Sequence, residues 1–326
     1  MKKNIKKAIL CLSVGAAVFS AAGNFGAVEA ASSSDKANAA RAKQLYSQCV
    51  EKFSSNDTRG AAACFIQADD YAKTEPLYKI LAGDSLKSLK QYSSAIRYYQ
   101  DAIDNAGKNK KMKKQIVQKA YIGLAECYAE SGDKDEALKY ADKSINDYGK
   151  DYRGHYVKGL VLQKTDKDGA IAEYQKSLEV DPKQYNSYVK LVSLYEEKGD
   201  TADVISTYQK AIDYRPLDEE MKMALAQFYI SQTKKEGATV NYYPQAVEVL
   251  HSLVNVNPQN AQAHYFLSTL YLLQGDKDGC YQELTRTNEL NAGLGNRLAR
   301  EIEAFMKKKI ADEQQAKQSS DGTQQN

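Results

Sequence analysis

The chain has 326 residues, 43% of them hydrophobic, with 24 Tyr, no Trp, 19 Gly and only 5 Pro. So little proline argues against a loop-rich all-β protein, and the length allows about two domains of ordinary size. There are 45 Lys and Arg against 42 Asp and Glu. Setting aside four bases (Lys2, Lys3, Lys6, Lys7) and one acid (Glu29) in the first thirty residues leaves 41 of each, and a neutral chain has no overall field to gather phosphate backbones, which disfavours nucleic-acid binding.

Met1 to Lys7 is basic, Ala8 to Gly23 is apolar and rich in small residues, and Val28-Glu29-Ala30 supplies a small-x-small cleavage pattern. These three parts make residues 1–30 a secretory signal peptide with Ala31 as the new N-terminus. An uncleaved anchor is the alternative, but the apolar run is shorter than the roughly 20 residues that a span requires. The expectation is an exported protein of the periplasm, the extracellular space or the cell envelope, with no transmembrane segment after cleavage. Residues 31–41 read as a short polar lead-in.

From residue 42 the chain repeats itself. Aligning Asp133, Asp200 and Asp276, each preceded by Gly, brings seven units into register, starting near Ala42, Pro76, Gln118, Tyr152, Tyr185, Glu219 and Ala261. Their spacings are 34, 42, 34, 33, 34 and 42 residues, so two units carry eight-residue insertions. The eighth slot holds Cys49, Gly83, Ala125, Gly159, Val192, Ala226 and Ser268. A second small slot holds Ala61, Ala95, Ala137, Ala170, Val204, Ala246 and Cys280. Small residues at both places let two helices approach closely. Four residues further come mostly large groups, Phe65, Tyr99, Tyr174, Tyr208, Leu250 and Leu284, on the same helix face, with Ala141 the exception. Pro182, Pro216 and Pro258 fall where the second helix must stop.

These units resemble tetratricopeptide repeats. Tyr185 to Asp218 carries the pattern best, through Tyr188, Leu191, Tyr195, Gly199, Tyr208, Ala211 and Pro216, while His155 and His264 stand in a slot often given to Trp or Tyr. The resemblance covers residues 42–292 and implies an all-α, right-handed solenoid of about seven helical hairpins. Leu294, Leu298, Ile302, Phe305 and Ile310 recur at helical steps, predicting a capping helix over 293–313. Residues 314–326, rich in Gln and Ser, read as a disordered tail.

No arrangement for catalysis is present, and the three histidines (His155, His251, His264) lack the partners of a zinc site, so the reading is a non-enzyme without metal or cofactor. Cys49, Cys127 and Cys280 occupy inward slots. Cys49 and Cys64 lie on the two helices of one hairpin and could bridge, but Cys64 is one residue off the inward slot, which favours unpaired, buried thiols. The basic run Lys108, Lys110, Lys111, Lys113, Lys114 in the first insertion reads as an extended, solvated helix end. A contact with anionic lipid or wall polymer is its sharper reading. The second insertion, within Gln232–Pro244, lengthens the turn inside the sixth unit.

In the resembled family the first helix of each unit lines an inner groove. Those slots hold Tyr46, Val50 and Phe53, then Ile80 and Asp84, then Lys119 and Glu126, Arg153, Tyr156 and Lys164, Asn186, Lys190 and Ser193, Met223 and Gln227, and Tyr265, Phe266 and Thr269. Rigid aromatic area beside orienting charges suits a protein or peptide ligand. The expected ligand groove is therefore Tyr46, Arg153, Tyr156, Asn186, Lys190, Tyr265 and Phe266, in a scaffold or adaptor. The alternative is an envelope component that binds wall polymer or glycan, or that works within a larger complex.

Overall fold

A computed structural model describes residues 33–106, 110–148, 151–235 and 237–322. The expected signal peptide, residues 31 and 32 of the lead-in, Lys108 and the last four residues of the tail lie outside the described residues. The described residues form fifteen α-helices and no strand, giving the expected all-α architecture.

The helices alternate as hairpins: α1 (Ser33–Ser54) and α2 (Thr58–Tyr71), α3 (Pro76–Ser88) and α4 (Tyr92–Asp104), α5 (Lys110–Ser131) and α6 (Lys134–Tyr148), α7 (Tyr152–Leu162) and α8 (Lys167–Val180). After them come α9 (Tyr185–Lys198) and α10 (Thr201–Tyr214), α11 (Glu219–Lys234) and α12 (Tyr243–Val256), α13 (Ala261–Gln274) and α14 (Lys277–Leu290), and finally α15 (Ala292–Gly322). The chain divides into two compact units, residues 1–194 and 195–326.

Local chemistry sets the hairpin turns. Asp57, Asp166 and Asp276 cap the second helices by accepting the backbone N–H of Gly60, Gly169 and Gly279 at 2.9, 2.9 and 3.0 Å. Gly132 and Gly275, with φ of 91° and 85°, reverse the chain just before such a cap, a conformation that glycine adopts without a Cβ penalty.

The small slots work as the sequence implies. Ala61, Ala95, Ala137, Ala170, Val204, Ala246 and Cys280 are completely buried. A Cβ on Gly83 would stand 2.9 Å from the Tyr99 ring, and one on Gly159 2.7 Å from the Tyr174 ring. Both rings are themselves fully buried. A missing side chain on the first helix thus makes room for a tyrosine of the second.

Two expectations are corrected, the unpaired cysteines and the disordered tail. Cys49 and Cys64 form a disulfide, with their Cα atoms 5.3 Å apart. The close approach of α1 and α2 at their small residues brings Cys64 within reach although it lies one position off the inward slot. The lead-in is helical from Ser33, since Ala37, Ala39 and Ala40 favour a helix that needs no burial. The last helix runs on to Gly322, taking in residues expected to be disordered, because Ala, Gln and Lys are themselves good helix formers. The first insertion lengthens α5 at its start by about two turns, and the second lengthens the α11–α12 turn.

Candidate functional site

In the first unit α3, α5 and α7, the first helices of three successive hairpins, lie side by side. Their shared inner face carries a ladder of ion pairs. Lys119 of α5 reaches Asp84 of α3 at 3.1 Å, and Lys87 of α3 pairs with Glu126 of α5. The hydroxyl of Tyr99 donates to Asp84 at 2.7 Å. Burial works against the Asp84 charge, but Lys119, Lys87 and the Tyr99 hydroxyl outweigh it and hold the carboxyl below the usual carboxylate range.

The ladder continues onto α7. Asp151 caps that helix by accepting the Arg153 N–H at 2.9 Å, and it also receives the Gln118 side chain of α5 at 3.0 Å. The Arg153 guanidinium forks onto the same carboxylate, with Nε 2.9 and 3.0 Å from its oxygens. Arg153 is therefore a paired charge rather than an isolated one. Tyr156, one turn on, sets its ring 5.7 Å from that of Tyr174, and burial pushes its phenol up to about 12. Asn186 is exposed and Lys190 half-buried, one turn apart on α9. Tyr46 lies at the far end of the unit, its ring 6.3 Å from Phe65 and 6.4 Å from Tyr78.

In the second unit Tyr265 and Phe266 meet edge to face at 5.5 Å. The Tyr265 hydroxyl donates to Glu301 of α15, and the Arg297 guanidinium stands 6.0 Å from its ring centre. The final helix has thus claimed this predicted anchor. His264 is held by Glu283 at 2.5 Å and the Pro258 carbonyl at 3.1 Å, and His155 by Glu173 at 2.7 Å. Among the described residues no cluster of His, Cys, Asp or Glu is placed to hold a metal ion, and no helix is long and apolar enough to cross a membrane.

Of the predicted groove residues, the structure brings Arg153 and Tyr156 onto one face with Asp84, Lys119 and Glu126. Asn186 and Lys190 make a separate pair on α9. The sequence reading passed over Lys87 and Asp151. Lys87 stands in the twelfth slot of its repeat, so applying that slot to every unit would have found it. Asp151 precedes its repeat and shows only as a helix-capping residue.

Family models of the tetratricopeptide repeat match residues 80–151 and 185–216. Residues 80–151 and 185–216 are therefore tetratricopeptide repeats, helical hairpins that stack on their neighbours. A TPR repeat-containing protein of Methanocaldococcus jannaschii is 25% identical over 160 residues, 48% of this chain and 28% of its own length. The Tonsoku-like protein of Drosophila melanogaster is 39% identical over 76 residues, 23% of this chain and 5% of its own. The chain thus spans less than a third of either relative. Among solved structures, a tetratricopeptide repeat protein from Parabacteroides merdae aligns with a TM-score of 0.42 and 16% identity, over 80% of this chain and 98% of that one. YrrB, described as a TPR protein with an unusual peptide-binding site, aligns at 0.40 and 14%, over 60% of this chain and 99% of its own.

Proposed function

We propose that this chain is an exported, non-catalytic scaffold that holds a protein or peptide segment against the inner face of its first unit. The observation that carries the reading is the ladder formed by Asp84, Lys87, Lys119, Glu126 and Arg153 beside Tyr156. It offers alternating charge and rigid aromatic area on three adjacent helices. An extended segment can exchange its own polar groups with such a ladder while laying apolar side chains on the ring. Asn186 and Lys190 on α9 would give the segment further polar contacts. The Cys49–Cys64 bridge supports export, because disulfides persist in oxidising compartments.

The test is affinity capture from an envelope extract with the full chain, followed by direct titration of the captured partner. The comparison is a variant carrying Asn186→Ala and Lys190→Ala, two substitutions that remove no core packing. The partner should bind the variant roughly tenfold more weakly, the loss of two polar contacts at a partly desolvated surface. Equal affinity for both proteins would sink the groove assignment.

A further inference from the structure

Away from the inner face, the hairpin of α5 and α6 carries a zipper of four tyrosines taken alternately from the two helices. Tyr128 stacks on Tyr140 at 5.7 Å, Tyr140 meets Tyr121 at 5.9 Å, and Tyr121 meets Tyr148 at 6.2 Å. None of the four stands in a slot that lines the groove. The rings are half-buried, with one side on the core and the rest at the surface.

Three exposed lysines lie over this row. Lys143 sits between two rings, 5.2 Å from Tyr140 and 5.6 Å from Tyr121; Lys139 is 5.5 Å from Tyr140, and Lys114 is 5.6 Å from Tyr148. Lys139 is also paired with Glu136 at 2.6 Å. Among the described residues, Lys114 and Lys143 rest on ring faces and pair with no carboxylate. A ring face orders an ammonium without neutralising it, so both charges stay available to an outside anion. The acidic neighbours are Glu136, which Lys139 occupies, Asp133, which with Glu136 acts on Tyr128, and Asp147, which acts on Tyr121 and Tyr148.

We propose that this zipper is a second binding surface, and that its ligand is an acidic polysaccharide. Repeated amines beside repeated rings match a polymer whose anionic groups recur along a chain of flat, C–H-rich sugar faces. Each ring step is on the scale of one sugar unit, and the phenol hydroxyls can bond to sugar hydroxyls. The large exposed hydrophobic residues of the described chain all lie on other helices and turns. Among the residues whose side chains are described, this surface therefore exposes no large aliphatic side chain to insert into a bilayer or to seat an amphipathic helix. Lys114 belongs to the basic run of the first insertion, which gives that run a purpose beyond a solvated helix end.

The experiment measures binding of the full chain to immobilised polygalacturonate, with neutral dextran, polyglutamate and phosphatidylglycerol vesicles as parallel arms. Binding to polygalacturonate above all three, weakened about tenfold by Lys114→Gln with Lys143→Gln and less steeply dependent on salt in that variant, is the expected result. Both lysines are exposed, so the variant should keep its helical circular dichroism. Tyr140→Leu, which keeps apolar bulk against the core, should weaken binding independently. The Asn186→Ala, Lys190→Ala variant should bind the glycan normally, which separates this surface from the groove. The proposal fails if the wild type ignores polygalacturonate or if the lysine variant binds it equally well. It also fails if polyglutamate or the vesicles bind as tightly with the same lysine dependence.

Discussion

Two interior positions show how single residues set stability. Lys222 lies 4% exposed on α11, its ammonium donating to the Ser252 hydroxyl at 2.7 Å and the Ser252 carbonyl at 3.2 Å. Burial depresses its pKa from the ordinary lysine value. The unfolded chain therefore holds this proton to higher pH than the folded one does, so the site costs stability at neutral pH. That cost fades as pH rises toward the unfolded value near 10.4. Lys222→Met keeps the length and removes the charge, and Ser252, being exposed, can bond to water instead. The variant should gain about 1 kcal/mol at pH 7 in urea unfolding, with the gain shrinking toward pH 10. A gain that grows with pH would contradict the assignment. Gly159 makes the opposite case. Ala there would press its Cβ to 2.7 Å from the fully buried Tyr174 ring, whose hydroxyl donates to Gln163 at 3.0 Å. A loss of about 2 kcal/mol is expected, the usual cost of overpacking a core. An unchanged melting temperature would mean that the ring can shift.

Helix pairs are the units that fold, and the first pair is the only one among the described residues closed by a covalent bond. Cys49 and Cys64 are 15 residues apart in sequence, a loop whose closure is worth about 3 kcal/mol through the entropy of the unfolded chain. Among the described residues this hairpin packs on one following hairpin, through α2 against α3. Reduction should therefore raise amide exchange in α1 and α2 while leaving α5 to α8 protected. Uniform loosening of the whole first unit would show instead that the bridge supports more than its own hairpin. The contrast between Cys49–Cys64 and the tyrosine slots marks what the sequence could reveal. Recurrence at 34 residues encodes which positions face inward, because every repeat solves the same packing problem. The places of Gly83, Gly159, Tyr99 and Tyr174 were legible for that reason. Pairings made once only, such as Lys119 with Asp84, Gln118 with Asp151 or Tyr265 with Glu301, leave no periodic trace. They depend on how neighbouring helices slide past one another. The bridge belongs to this second kind, and so do the partners of Arg153 and the charge ladder of the groove face.

For the molecule as a whole, the thiols give one measurement that reads both the proposed export and the architecture. The sequence has five cysteines: Cys11 in the proposed signal, Cys49 and Cys64 in the bridge, and Cys127 and Cys280 as buried free thiols. Burial pushes the Cys127 thiol up to about 12 and raises that of Cys280. Neither forms the thiolate that alkylating agents need at neutral pH. The native protein isolated from its source should therefore resist iodoacetamide. After denaturation without reductant, a chain cleaved before Ala31 should take up two labels, at Cys127 and Cys280, and four once reduced. A chain that keeps its first thirty residues should add one label to each count through Cys11. A chain held in a reducing compartment should take all its labels without reductant, because the glutathione and thioredoxin systems keep its thiols reduced from synthesis onward. Intact mass before and after each step distinguishes these outcomes in one sample. Two labels rising to four would place the scaffold in an oxidising compartment with its leader removed. Four labels without reductant would place it in a reducing compartment, and would remove the support that the bridge lends to export.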